Sequence, residues 1–332
     1  MYLTAFAAAA AAFLITALGG KPLIRLLEKY RLTALLMREK DGVKTPDKKP
    51  VPEMGGLLYL CGLLGGGIIG AILLLITGGG EAFSASVSFG KFGAVLICTL
   101  LMGLLGLLDD WRRARSLPPM SPAVRLLLVS GIALSFLFGI WASGDRSTIL
   151  LLPFGSQLDL GIGYPVLLFL MLIGSVYGAG QMSASGGQLL SVSLISSLGC
   201  GGIFAVFAIR GICEISFASA GAMLGLTLFS FPPEKLREGN GCRKAGGVFP
   251  MAVGIAGGAP LFVLFMGLPF IFEGIYVMIK LCVNIGGKEL PAENFGAFLM
   301  EKGWSGKAVC GLYAFSALAG GIAAVSAAVL YL

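Results

Sequence analysis

The chain has 332 residues, 57% of them hydrophobic and only 12% charged, with 24 Lys+Arg against 17 Asp+Glu and no histidine. Soluble domains average roughly 25% charged residues, so this composition excludes an ordinary cytosolic enzyme, and its hydrophobicity excludes a disordered chain. Without histidine there is no His-based triad, no His–zinc centre and no imidazole proton relay.

The first apolar stretch, residues 2–20, has no positive n-region; its cations follow it, from Lys21 onward. This predicts an uncleaved first helix with its N-terminus outside, not a signal peptide. Further apolar stretches lie at 54–77, 92–108, 126–142, 160–180, 188–209, 211–231, 248–259, 261–279 and 308–332. Most reach the about 20 residues that a spanning helix needs. Residues 248–259 and 261–279 are separated only by a weak break at Gly257–Pro260, so ten spans are predicted, with nine plus a long re-entrant hairpin as the alternative. Open strands cannot satisfy their backbone in lipid. The predicted fold is therefore an all-α polytopic membrane protein, a single integral domain over 1–332 with about ten transmembrane helices and both termini outside. Between the fourth and fifth spans, Ile149–Gly161 carries a Phe154-Gly155-Ser156 turn between apolar runs, which predicts a small outside hairpin.

The 51 glycines suit close helix packing in a bilayer. The seven cysteines are scattered without a C-x-x-C and read as small hydrophobes, not disulfides or metal ligands.

Ten spans place alternate connections on opposite sides. Segments 21–53, 109–125, 232–247 and 280–307 carry nine, four, four and four Lys/Arg, while the other side holds only Lys91, Arg146 and Arg210. The positive-inside rule makes the rich side cytoplasmic, and residues 181–187 form a further cytoplasmic connection. The net charge of +7 is then mostly topology, partly a surface facing anionic lipid heads or phosphorylated substrates, and not a nucleic-acid footprint.

Carboxylates are scarce, and the only adjacent pair is Asp109-Asp110 in Gly106-Leu-Leu-Asp-Asp-Trp-Arg-Arg at the cytoplasmic end of the third span. Such a pair suits Mg²⁺ holding or general-base work; a solvated helix end with Arg112 and Arg113 as ion partners is the alternative. Glu273 is the one acid well inside an apolar span, either functional or paired with a neighbouring helix. Lys48 through Gly56 sets cations beside a Pro-rigidified turn and a glycine pair at a helix start, a combination that suits anions and equally suits plain anchoring.

Together these pieces resemble the phospho-N-acetylmuramoyl-pentapeptide transferase family, polyprenyl-phosphate phosphosugar transferases that make the first lipid-linked peptidoglycan precursor. The match is collinear over nearly the whole chain: Arg38-Glu-Lys-Asp-Gly42, Lys48 through Gly56 with its Met-Gly-Gly, Gly106 through Asp110, Ser121-Pro-Ala-Val-Arg125, Leu160-Gly161, Pro232-Pro-Glu, Gly246-Gly247 and Lys302-Gly303-Trp304. The resemblance implies ten spans with both termini outside, the bacterial cytoplasmic membrane, and Mg²⁺-dependent transfer of a phosphosugar from a UDP-linked donor to undecaprenyl phosphate.

The departures are concentrated. The family's Asn-x-x-Asn-Leu-Thr-Asp-Gly-x-Asp-Gly falls on Tyr177 to Gly187, with its amides at Tyr177 and Gly180 and its aspartates at Ser183 and Gly186. A metal-binding aspartate falls on Gly239, and a triple histidine falls on Gly296-Ala297-Phe298. Of the family's acids and histidines, Asp109 and Asp110 remain as catalytic candidates. Lys48 matches a family lysine, Arg125 stands for a lysine, and Arg243 and Lys244 are new cations; with Asn240 they form the expected phosphate-binding set. A Mg²⁺ on one adjacent pair would be poorly coordinated, so the cofactor is expected to be lost or weak and no metal ligand is assigned.

Three functional readings follow. One is a degenerate homologue, a pseudoenzyme that keeps an anionic polyprenyl lipid or a partner protein, as a homodimer or with an active paralogue. The second is an active, rewired transferase in which Glu238 and Asn240 stand in beside the lost aspartate. The third is a lipid transporter or flippase resting on Glu273. Within the first, Lys48, Arg125, Arg243 and Lys244 replace the metal electrostatically.

Overall fold

In the computed structural model, the described residues are 2–30, 32–34, 37–40, 43–46, 51–78, 89–152, 155–182, 187–231, 234–285 and 292–331. Lys48, Ser183 and Gly186 lie outside them, as does Phe154 of the predicted turn.

Helix α1 (Tyr2–Lys29) is followed by four short strands, β1 (Thr33–Ala34), β2 (Met37–Lys40), β3 (Val43–Pro46) and β4 (Val51–Pro52), which pair β1 with β4 and β2 with β3, both antiparallel. Then come α2 (Gly55–Gly78), α3 (Phe89–Ala114) and α4 (Pro122–Ala142). Helix α4 starts where Ser121 caps it, its hydroxyl accepting from Val124 N–H, with Pro122 in the first turn. The predicted hairpin is present as β5 (Ile149–Leu151) and β6 (Gln157–Asp159), in register Leu150 with Leu158. The remaining helices are α5 (Gly163–Gln181), α6 (Gln188–Val206), α7 (Ile212–Ser230), α8 (Gly239–Ala256), α9 (Pro260–Met266), α10 (Leu268–Ile285), α11 (Phe295–Glu301) and α12 (Gly306–Tyr331).

Among the described residues eight helices are long and apolar enough to cross a membrane: α1 to α7 and α12. Two further segments are less regular: α8, which is not among the candidate spans, and the α9–α10 pair, which makes a ninth if read as one broken span. Helix α8 is about 27 Å long at 1.5 Å per residue and reaches from Asp110 at one end to Phe204 at the other, where Gly257 abuts the Phe204 ring. Its first turns carry Arg243 and Lys244, which keeps it off any purely apolar count. The helix therefore begins well before the predicted apolar stretch at 248, and residues 239–247 of the expected cytoplasmic segment are helical. The α9–α10 pair is bent by 77° at Gly267, a break the hydropathy pattern did not show. Pro269 has no N–H for the Phe265 carbonyl that a continuous helix would pair with it, and Gly320 of α12 packs directly on that carbonyl.

Contacts place Thr4 and Tyr331 at the same end of the bundle. Tyr331 O–H accepts from Gln157 of the hairpin at 3.0 Å and its ring meets Phe207 and Phe262. Thr4 donates to Glu214 at the start of α7, just past the turn that holds Phe207. Lys91 and Asp145 pair at 2.6 Å on the hairpin side. The opposite end gathers the C-terminal end of α3, the N-terminal ends of α4 and α8, and the turn before α8, which agrees with the charge asymmetry read from the sequence.

Helix α8 forms the centre, with every residue buried except Asn240 and Arg243. Small residues bring its first turn close to two neighbours. A Cβ on Gly106 of α3 would strike the Asn240 carbonyl, and one on Gly56 of α2 would strike the Cys242 amide. Lipid offers no hydrophobic drive between helices, so this close backbone approach is what holds α2, α3 and α8 together.

Candidate functional site

The adjacent carboxylate pair sits where α3 meets the start of α8. Adjacent helical residues point about 100° apart, so Asp109 and Asp110 face different neighbours. Asp110, 2% exposed, accepts N–H bonds from Asn240 at 2.8 Å and Gly241 at 2.9 Å. These are orphan donors of the first turn of α8, and a carboxylate there also meets the positive end of the helix dipole. Gly239 adopts φ +68° and has no room for a Cβ between the Glu53 carbonyl and the Asp110 carboxylate, so this position is sterically reserved for glycine.

Asp109 is taken by cations. Its Oδ2 accepts from Lys244 Nζ at 2.6 Å and lies 3.5 Å from Arg125 Nε. Both Asp109 and Lys244 are buried, so this is an interior ion pair whose partners depend on each other. Asp109 Oδ1 has no hydrogen-bond partner, nor does Arg125 Nε or Arg243 Nε.

The predicted set is thus assembled in part. Asp109, Asp110, Arg125, Asn240 and Lys244 meet at one place, and Arg243 lies within electrostatic reach of Glu238. Lys48 lies outside the described residues. Three expectations are corrected. Arg112 and Arg113 are not partners of the acid pair: Arg112 donates to the Pro118 carbonyl and Arg113 reaches Glu53, because both lie beyond the last turn that faces α8. The amides of Gly55 and Gly56 are not open to an anion; they donate to the carbonyls of Arg237 and Glu238 at 2.8 and 2.9 Å. Glu273 is structural, since its oxygens accept from Phe295 N–H, Gly296 N–H and Tyr313 O–H, which anchors α11 to α10 and α12.

Other buried polar residues escaped the sequence reading. Glu214 accepts from Gly211 N–H at 2.6 Å and from Thr4, capping α7 as Asp110 caps α8. Gln188 is fully buried with neither amide atom partnered. An acid three residues after a glycine at a helix start was the available signal for Glu214; nothing local marks Gln188.

Mg²⁺ does not fit the described residues. Both Asp110 oxygens already accept backbone N–H groups, Asp109 carries an ammonium on Oδ2, and no group of three or more His, Cys, Asp or Glu is placed to hold a metal among the described residues. Magnesium demands near-octahedral oxygen donors at about 2.0–2.1 Å.

Glu238, at the mouth of α8, is buried. Burial pushes its carboxyl up to about 7, with Arg243 pulling it back down and Glu234 adding to the rise; its Oε1 has no hydrogen-bond partner. The native state therefore holds a proton that the unfolded chain releases at lower pH. Between about the ordinary glutamate value and pH 7, stability falls as pH rises. Melting curves of the detergent-solubilised protein across pH 5–8 are expected to show that decline, and Glu238→Gln is expected to flatten it. An unchanged slope in the variant would refute the assignment.

No family-wide sequence profile matches the chain. It is 27% identical over 294 residues to the phospho-N-acetylmuramoyl-pentapeptide-transferase of Streptococcus gordonii, covering 86% of this chain and 85% of that protein. It is 28% identical over 284 residues to the enzyme of the same name from Streptococcus pneumoniae (84% and 82% covered). The namesake from Listeria welshimeri is 26% identical over 274 residues (82% and 81%). Coverage of more than four fifths of both chains, a polytopic helical bundle with its basic side at one end, and the collinear motifs agree: the chain is similar, over most of its length, to the phospho-N-acetylmuramoyl-pentapeptide-transferases.

Proposed function

We infer that this multi-pass protein of the bacterial cytoplasmic membrane is a catalytically degenerate homologue that retains binding of a polyprenyl phosphate. The observation that carries the reading is the state of the two remaining acids: one caps a helix and the other is neutralised by Lys244, so neither is free for metal or proton transfer. Lipid binding is supported by a cavity of about 690 Å³ between α5, α8, α9 and α10, lined mainly by apolar side chains and glycines, among them Met171, Met251, Phe270 and Ile275. Its wall includes Gly247, three residues beyond Lys244 on α8, and Tyr177, which lies within electrostatic reach of Arg125. An isoprenoid tail suits the cavity, and a phosphate suits Lys244 and Arg125, which neighbour these two lining residues.

The rewired-transferase reading has one observation in its favour, the Glu238 carboxyl titrating near neutrality, as a general base requires. The transport reading loses its support, since Glu273 is held by three donors. Mg²⁺-dependent release of UMP from UDP-sugar donors tests the choice: silence supports the degenerate reading, and turnover sinks it.

A further inference from the structure

We propose that Lys244 is a resident counter-ion that takes the place of a divalent cation, so that this site binds a phosphate oxyanion without metal. The proposal rests on the phosphate-binding reading above and specifies how the anion is neutralised.

Lys244 lies in the second turn of α8 and is 7% exposed. Cations that serve only to anchor a helix at a bilayer surface keep their charge in water; this one is drawn inward onto Asp109 Oδ2 at 2.6 Å. A magnesium ion sits about 2.0–2.1 Å from its carboxylate oxygens, so the ammonium already occupies the coordination space of that oxygen. One of its three N–H donors serves Asp109, which leaves two for a ligand.

Two cations converge on one oxygen of Asp109. Asp109 and Lys244 cancel, and the Asp110 carboxylate is met by the α8 amides. Arg125, a side chain 36% exposed, lies 3.5 Å from the same Asp109 oxygen, and its buried Nε makes no hydrogen bond among the described residues. A buried N–H without a hydrogen bond is costly, and a phosphate supplies several acceptor oxygens for it and for the rest of the guanidinium. The phosphate has two possible sources, a polyprenyl monophosphate or the diphosphate of a UDP-linked donor.

The experiment measures binding of farnesyl phosphate and, separately, of UDP to the purified full chain, in Mg²⁺ and in EDTA. Wild-type protein is expected to bind farnesyl phosphate equally in both. The Asp109→Asn/Lys244→Met double variant, which removes the pair without stranding a buried charge, is expected to bind about tenfold more weakly in either buffer. Lys244→Arg, which keeps the charge, is expected to retain metal-independent binding. Stronger binding of UDP than of farnesyl phosphate, again equal in Mg²⁺ and EDTA, keeps the counter-ion role and assigns the phosphate to the donor. A wild-type affinity that collapses in EDTA overturns the proposal while leaving phosphate binding intact, as does a double variant that binds like wild type. Binding of neither probe in either buffer overturns the phosphate-binding reading itself, and the counter-ion role with it.

Discussion

Reconstituted protein supplied with undecaprenyl phosphate, Mg²⁺ and a panel of UDP-sugars is expected to release no UMP above background, and Asp109→Asn is expected to leave that result unchanged. The relative from Streptococcus pneumoniae, assayed in parallel, is the positive control. The reaction brings two anions together, so it needs both charge neutralisation and a group that orients or deprotonates the nucleophile. A positioned general base is worth about 10²–10⁴-fold, and a catalytic metal supplies several kcal/mol more as a Lewis acid. Here the residues that would provide either are engaged: Asp110 by the Asn240 and Gly241 amides, Asp109 by Lys244. Turnover that depends on Mg²⁺ and disappears in Asp109→Asn would falsify the degenerate reading.

Asp109→Ala is expected to destabilise the fold by about 3–5 kcal/mol, because it leaves the Lys244 ammonium buried without its partner. The Asp109→Asn/Lys244→Met double variant is expected to recover most of that loss, since replacing a buried ion pair by neutral groups of similar size is often close to neutral. Apparent melting temperatures in detergent check both. The contrast separates a structural pair from a catalytic acid. If Asp109 were poised for chemistry it would be replaceable with little cost in stability, and removing Lys244 as well would bring no recovery. Equal melting of wild type, single and double variants would show that the pair is solvated and contributes nothing to packing.

Much of the fold was legible because the bilayer imposes length and polarity on each segment. Apolar stretches marked the eight regular spans, and the Lys/Arg distribution marked the basic end of the bundle. The Gly257–Pro260 break was visible as a cluster of residues that cannot continue a helix. The bend at Gly267 was not visible, because the residues around it are all apolar and the deciding contact, Gly320 against the Phe265 carbonyl, is 55 residues away in the chain. The onset of α8 was misplaced for a related reason. Hydropathy sees Arg243 and Lys244 as loop residues, whereas the helix tolerates them because Asp109 neutralises one of them.

The site divides in the same way. Composition and segment order alone determined that this is a polytopic membrane bundle, that Asp109 and Asp110 are its one adjacent acid pair, and that its cations are concentrated in alternate connections. Those statements depend only on residue identity and on position along the chain. What the two acids do was decided by tertiary structure, because each finds its partner about 130 residues away on α8. A carboxylate in an apolar interior is tolerated only when donors or cations surround it. Asp110, Glu214 and Glu273 meet helix N-termini and Asp109 meets Lys244, so these four acids hold helices in place.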